Sequence, residues 1–338
     1  MSEATAVLKT ETLPGAVPVR RARLDAGGLR AACTAVREAG GLLHALWGTD
    51  ERDRGGGFLL RVALQDAAGL LILELPLEAE TPGYQNLAGI FPAADRMQRA
   101  AFDLLGFNAY GGDTRDWLRH AAWPLEHFPL RRDAPDLGAA PTKDEHYPFV
   151  PVAGEGVHEI AVGPVHAGTI EPGHFRFSVV GEKVLRLEER LGYVHKGIEK
   201  RFEALPLLEG QRLAARVSGD SAVAFSWAYC MALEGIAGVT PPPRALALRA
   251  LLLERERLAN HLGDLGALGN DAGFAVGLAH FSRLKEDLLR DDARHLGARY
   301  HLDAVVPGGV AADLGETGRR ALLAAIPPLA AEVAALRE

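Results

Sequence analysis

Apolar positions along the chain change their period more than once. Leu29, Cys33 and Val36 recur at helical spacing within 24–39, and Gly40-Gly41 supplies a stop. Strand-like runs follow at 42–48, 58–64 and 70–77, with a polar, Gly-rich stretch at 49–57 between the first two. Helical spacing returns over 96–105 and ends at Gly106. Residues 1–20 read as an irregular lead-in, so the first part predicts a small α/β unit built on a hairpin-connected sheet. Further on, 175–180 alternates, Gly181-Glu182-Lys183 offers a hairpin turn, and 184–187 returns. After Gly197 the pattern is helical to the end, over 207–237, 244–268, 275–302 and 312–337, with breaks at 241–243, 269–271 and 306–309. Four long helices with short connections predict an antiparallel bundle.

The fold class that follows is α+β. A small N-terminal α/β domain occupies 20–133 and a Pro- and charge-rich linker 134–157; over 158–338 a mainly helical bundle domain is fronted by a short antiparallel β-layer. The last helical pattern reaches Glu338 without a cap, so this second domain reads as C-terminally incomplete.

Composition narrows the function classes. A net charge of −7 gives no basic face for nucleic acid. Cys33 and Cys230 form no disulfide framework and no CxxC pair; each reads as a small buried hydrophobe in a reducing compartment. The first 17 residues lack the apolar core of a secretory signal. The most apolar stretch, 222–239, is interrupted by Ser226 and Glu234 and stopped by Pro241-Pro242-Pro243, so it predicts a buried helix rather than a membrane span. Membrane association would then come through partners. The run Glu254-Arg255-Glu256-Arg257 predicts a solvated helix face with local pairs. Chemistry-bearing residues are densest within 162–230, where His166, His174 and His195 accompany Glu171, Glu199 and Arg216 among glycines.

Several of these stretches carry a family resemblance. Phe91-Pro92-Ala93-Ala94, Phe102-Asp103-Leu104-Leu105-Gly106-Phe107 and Pro129-Leu130-Arg131-Arg132-Asp133 resemble the C subunit of respiratory complex I and its counterpart in membrane-bound hydrogenases. That family's helix usually carries a Trp and two acidic residues where this chain has Arg96, Gln98 and Ala100. The stretch from Gly163-Pro164-Val165-His166 to Phe175-Arg176-Phe177 resembles the large subunit of Hydrogenase-4 and formate hydrogenlyase, which is homologous to the D subunit of complex I. Gly192-Tyr193-Val194-His195-Lys196-Gly197-Ile198-Glu199-Lys200, Glu254 to Leu262, and Val305-Val306-Pro307-Gly308-Gly309-Val310 continue it, in the order of a fused C–D subunit.

The resemblance implies roles position by position. Nickel–iron hydrogenases hold their metals on an Arg-x-Cys-Gly-x-Cys-x-x-x-His motif; here Arg216 is kept, while Ser218, Ser221 and Phe225 replace both thiolates and the histidine. Serine hydroxyls are poor soft-metal ligands, so no nickel–iron centre is expected. The D subunit of complex I holds a quinone between a loop histidine and a tyrosine. Gly219 stands at the tyrosine's place, and His166 and His174 are the loop's two histidines, so quinone binding would need a differently shaped cavity. Arg216 and His261 match residues beside the 4Fe–4S cluster of a small partner subunit, and Glu199 matches the proton-transfer glutamate. The implied partners are a small iron–sulfur protein like the B subunit of complex I and antiporter-like membrane subunits, with no nucleic acid. The implied location is peripheral, on the cytoplasmic side of the cell membrane. NAD enters only through the wider complex, because the chain has no Gly-rich dinucleotide fingerprint. The expected function is the large subunit of an NADH–quinone oxidoreductase or hydrogenase-4-like complex, with proton-coupled electron transfer beside the partner's cluster. A redox-inactive scaffold is the alternative, and a true hydrogenase would need ligands that the motif lacks.

Overall fold

A computed structural model describes residues 8–120, 122–137, 149–165 and 171–337. The chain groups into two compact units, Met1–Lys200 and Arg201–Glu338.

The first unit is organised on a five-stranded sheet in the order β1-β2-β5-β4-β3, where β1 is Glu11–Leu13, β2 Val19–Arg23, β3 Leu42–Asp50, β4 Phe58–Asp66 and β5 Gly69–Leu77. β2 and β5 run parallel and the other pairs antiparallel. The lead-in expected to be irregular therefore supplies two strands. Its Arg-rich sequence hid them because β2 pairs with β5, some fifty residues away, and Arg20 and Arg21 are held by Asp66 and Glu11. Alternation sorts the two faces of the sheet. Leu60, Val62 and Leu64 sit opposite Leu75, Leu73 and Leu71, all buried, while between them Arg61 faces Glu74 and bonds it at 2.8 Å. Two helices cover the apolar face: α1, Ala26–Glu38, through Leu29, Cys33 and Val36, and α2, Ala94–Leu105, through Ala101, Leu104 and Leu105. Asp25 caps α1 by accepting from the Gly28 N–H at 2.7 Å, and Gly106 ends α2 in the left-handed region. The short parallel pair β6, Gly83–Gln85, and β7, Asn108–Tyr110, brackets α2. Gln98 is buried, accepting from the Leu87 N–H and donating to Asn86, so it fixes the turn before the helix.

Asp50, at the end of β3, is 3% exposed. Burial pushes its carboxyl up, but hydrogen bonds from the Arg52 side chain and from the Arg132 and Arg52 backbones outweigh this and hold it at about 2. A depressed folded-state value contributes stability above the ordinary carboxylate range, and that stability is lost as pH falls through about 2. Asp50→Asn is therefore expected to cost about 2 kcal/mol at pH 7 and progressively less as pH falls toward and below about 2. Urea denaturation across that range checks it; a cost independent of pH would refute it.

The rest of the unit is a three-stranded antiparallel sheet of β8, Val157–Val165, β9, Gly173–Val180, and β10, Lys183–Arg190, in the order β10-β9-β8. A short helix, α3, Ile198–Glu203, follows.

The second unit is helical: α4, Leu207–Ala214; α5, Ala222–Ala237; α6, Pro243–Asp271; α7, Ala275–Leu296; and α8, Glu316–Arg337. A two-stranded ladder, β11, Val305–Val306, with β12, Gly309–Val310, lies before α8. The pattern over 207–237 predicted one helix, yet the chain breaks at 215–221. The break is held by long-range partners: Arg216 bonds Asp303, and the Asp220 carbonyl accepts from Asn260. The helix expected to reach 302 stops at Leu296, where Gly297 takes a left-handed conformation. Cys33 and Cys230 are both fully buried. Among the described residues, no helix is long and apolar enough to cross a membrane.

Candidate functional site

In the first unit the signature loop after β10 is clasped by the segment following α2. Asp103, 3% exposed on α2, accepts the backbone N–H groups of Trp117, Leu118 and Arg119 at 2.8, 2.7 and 3.2 Å. Those three bonds fix the 117–120 segment. Gly192 then passes so close that any Cβ there would strike the Trp117 carbonyl oxygen, and its φ of 95° is left-handed; both demand glycine. Tyr193 stacks on His120 with centroids 4.1 Å apart and planes 10° from parallel. Arg190 donates to His120 Nδ1 at 2.6 Å, and Trp123 packs against His195 at 5.6 Å. Burial, with Arg190 beside it, pushes the His120 imidazole down to about 4, which leaves Nδ1 free to accept. Burial also lowers His195, against the opposing charges of Glu199 and Asp103.

Glu199 lies exposed in the first turn of α3, where a carboxylate is favoured by the helix dipole. His174, on β9, donates from Nδ1 to the Gly163 carbonyl at 3.1 Å, which directs Nε2 away from that strand, and its ring lies 5.3 Å from Phe149. His166 lies outside the described residues.

In the second unit Arg216 is about half exposed and forms a fork on Asp303, with N–O distances of 2.8 and 2.9 Å, and also bonds the Arg212 carbonyl. Ser218 precedes a single 3-10 turn, Gly219–Ser221, that Ser221 closes, and Phe225 is exposed on the first turns of α5. Ser218, Ser221 and Phe225 carry neither thiolate nor imidazole, and Gly219 carries no side-chain donor. Glu256, from α6, accepts the Val223 and Ala224 N–H groups at 2.6 and 3.2 Å and so caps α5. Beside it Asn260 holds Asp220, and His261 lies exposed on the same helix.

The solvated face expected at 254–257 is half correct. Glu254 and Arg257 pair at the surface, but Arg255 is 7% exposed and bonds Asp292, while Glu256 faces inward to its cap. Local alternation of charge concealed this because the partners lie on α5 and α7. Burial raises the Glu256 carboxyl, against the two N–H groups that favour its charge. His301, 4% exposed, has Nε2 3.5 Å from Asp292. A second buried pair joins Arg249 to both oxygens of Glu234, at 3.1 and 2.6 Å; Arg249 also donates to the Val306 and Gly309 carbonyls, and Glu234 accepts the Gly308 N–H.

The second unit thus brings Arg216 to the 301–303 segment and joins its loop to α6 one residue before His261. Sequence reasoning missed His301, Asp292 and Asp303, because Asp292 and His301 fell inside the helix predicted over 275–302, Asp303 just past its end, and nothing local distinguishes them. Glu199 belongs to the first unit.

Residues 22–139 match the family described as respiratory-chain NADH dehydrogenase, 30 Kd subunit. Formate hydrogenlyase subunit 5 of Escherichia coli (strain K12) is 35% identical over 81% of this chain and 50% of its own length. Hydrogenase-4 component G of the same strain is 33% identical over 88% of this chain and 55% of its own length. The C/D subunit of NADH-quinone oxidoreductase from Rhodopseudomonas palustris (strain BisA53) is 30% identical over 73% and 45%. The chain spans about half the length of the curated relatives it matches.

Proposed function

We propose that this chain, which belongs with the fused C–D subunits of complex I and the large subunits of Hydrogenase-4 and formate hydrogenlyase, serves as the large subunit of a membrane-associated respiratory complex. In this reading it sits peripherally on the cytoplasmic side of the cell membrane, beside a small subunit that carries a 4Fe–4S cluster. Antiporter-like membrane subunits complete the complex, and any NAD or quinone chemistry belongs to the assembly.

The observation that carries the reading is the held Arg216 fork. A guanidinium fixed by Asp303 and the Arg212 carbonyl, yet half exposed, is held in one orientation without a side-chain search, its charge partly offset by that carboxylate. A fixed cation beside a cluster favours its reduced form, and a neighbouring imidazole couples electron uptake to a proton. Two histidines compete for that second role. His261 is the one that the family motif suggests; His301 is favoured by its place two residues from Arg216's partner and by its buried Asp292 neighbour. For Glu199, in the first unit, the proton-transfer role rests on the family motif alone.

EPR-monitored redox titration of the purified complex between pH 6 and 8 tests this. The cluster potential should fall with pH at close to 59 mV per unit, and replacing the coupled histidine, His301→Ala or His261→Ala, should flatten the slope. Arg216→Ala should lower the potential at every pH. Unchanged slopes in both histidine variants would remove the coupling role. If electron transfer also survives Arg216→Ala unaltered, the redox-inactive scaffold is the better reading.

A further inference from the structure

A cavity of about 240 Å³ lies in the first unit between the N-terminal turns of α2, the segment before the loop clasp and the end of β10, and Glu199 is not among its lining residues. Its wall is built of guanidinium groups. Arg96 and Arg99 project from α2, Arg115 from the following segment and Arg190 from the end of β10. Arg190 is 6% exposed and anchored through His120, so one cation is locked into the wall. Arg99 spends Nε and one terminal nitrogen on the Arg115 and Asp116 carbonyls at 2.7 Å, which aims its remaining nitrogen. That nitrogen stays 3.7 and 3.8 Å from Asp95 and Asp113, beyond hydrogen-bond reach. The Arg96 and Arg99 guanidiniums lie 5.1 and 5.2 Å from the Trp117 ring centre, so the indole holds both.

Most carboxylates nearby are already engaged. Asp116 gives both oxygens to Arg119 at 2.6 Å, and Asp113 gives both to Arg115. With Asp95 and Glu189 added, five guanidiniums meet four carboxylates among the described residues, a surplus of one positive charge. Burial lowers the Arg190 guanidinium, against the opposing charges of Tyr193 and Asp116, and the nearby Arg119 and Arg99 add smaller shifts in the same direction as burial. Planar forks that converge on one polar cavity match tetrahedral oxyanions better than they match water.

We propose that this cavity binds a phosphate monoanion, either free or as the phosphodiester headgroup of an anionic lipid, with Arg96, Arg99 and Arg190 as its ligands.

Isothermal titration of the full chain with inorganic phosphate, and flotation with vesicles of phosphatidylglycerol against phosphatidylcholine, test it. Free phosphate as the ligand gives saturable heat that falls at least tenfold in Arg96→Gln. A headgroup as the ligand gives flotation with phosphatidylglycerol alone, lost in the same variant. Arg96 is exposed, so its replacement should leave the melting temperature in phosphate-free buffer unchanged; Arg190→Gln serves as a second variant if it folds. Neither heat nor selective flotation in the wild type overturns the proposal, and so does binding that Arg96→Gln leaves intact.

Discussion

Arg249→Met is expected to destabilise the helical unit by about 3–5 kcal/mol. The reason is what it leaves behind. Arg249 is wholly buried and Glu234 is 6% exposed, and the arginine holds both carboxylate oxygens as well as two carbonyls of the β11–β12 ladder. Without it an ionised carboxylate stays in the core with the Gly308 N–H as its remaining partner. The pair itself is a weaker source of stability than its rupture suggests, because both charges were desolvated to form it. The double variant Glu234→Gln with Arg249→Met should therefore recover much of the loss. Burial alone would raise the Glu234 carboxyl, but the Arg249 hydrogen bonds and the Gly308 N–H leave it below its ordinary value, so its share of stability is present above the usual carboxylate range and fades as pH falls through its folded-state value. Urea unfolding of the full chain, followed in the helical signal, measures all three. A single-variant loss under about 1 kcal/mol would show that the core rehydrates around Glu234.

The second large effect is expected at Asp103. Asp103→Ala removes the acceptor of three backbone N–H groups and should cost the first unit about 3 kcal/mol. The damage should travel, since the fixed 117–120 segment is what Gly192 and Tyr193 rest upon. Asp103→Asn keeps one oxygen and should cost about half as much. Burial dominates this carboxyl and raises it, so the wild type binds its proton more readily folded than unfolded. Its advantage over the Asn variant should then shrink as pH rises through the carboxylate range. An advantage that grows with pH would contradict the assignment. The Asp50 carboxyl, depressed to about 2, should behave in the opposite sense within the same unit, which makes the pair an internal control.

What could be read from the sequence follows from the range of the forces involved. Strands β3 to β5 and helices α1 and α2 are carried by local alternation, helical spacing and the glycines after each helix, and the structure has them within a few residues of expectation. The helix expected over 222–239 runs over Ala222–Ala237, ended by Gly238, but only one face of it is buried: Phe225 and Ile236 are 41% and 79% exposed. The errors lie where a partner is distant in sequence. β1 and β2 looked irregular because their apolar content is low and their pairing is with β5 or each other. The break at 215–221 looked helical because the groups that hold it, Asp303 and Asn260, lie forty or more residues away. The candidate site divides in the same way. Family motifs pointed to Arg216, His261 and Glu199, whereas Asp303, Asp292 and His301 became visible through contacts alone. Resemblance names residues that a lineage shares; it does not name the groups that orient them in one chain.

The capping of α5 has a further meaning. A helix ordinarily announces its beginning with a side chain of its own, a serine or aspartate just ahead of the first turn. Ser221 stands in that place and forms no such bond; the carboxylate of Glu256, thirty-odd residues later, receives the first amides instead. The first turn of α5 is thus defined only once α6 has docked, so the two helices begin as one cooperative element. Any change of protonation at Glu256 would act at the junction where the Ser218–Ser221 turn becomes helix, and the boundary of one segment is written in the sequence of another.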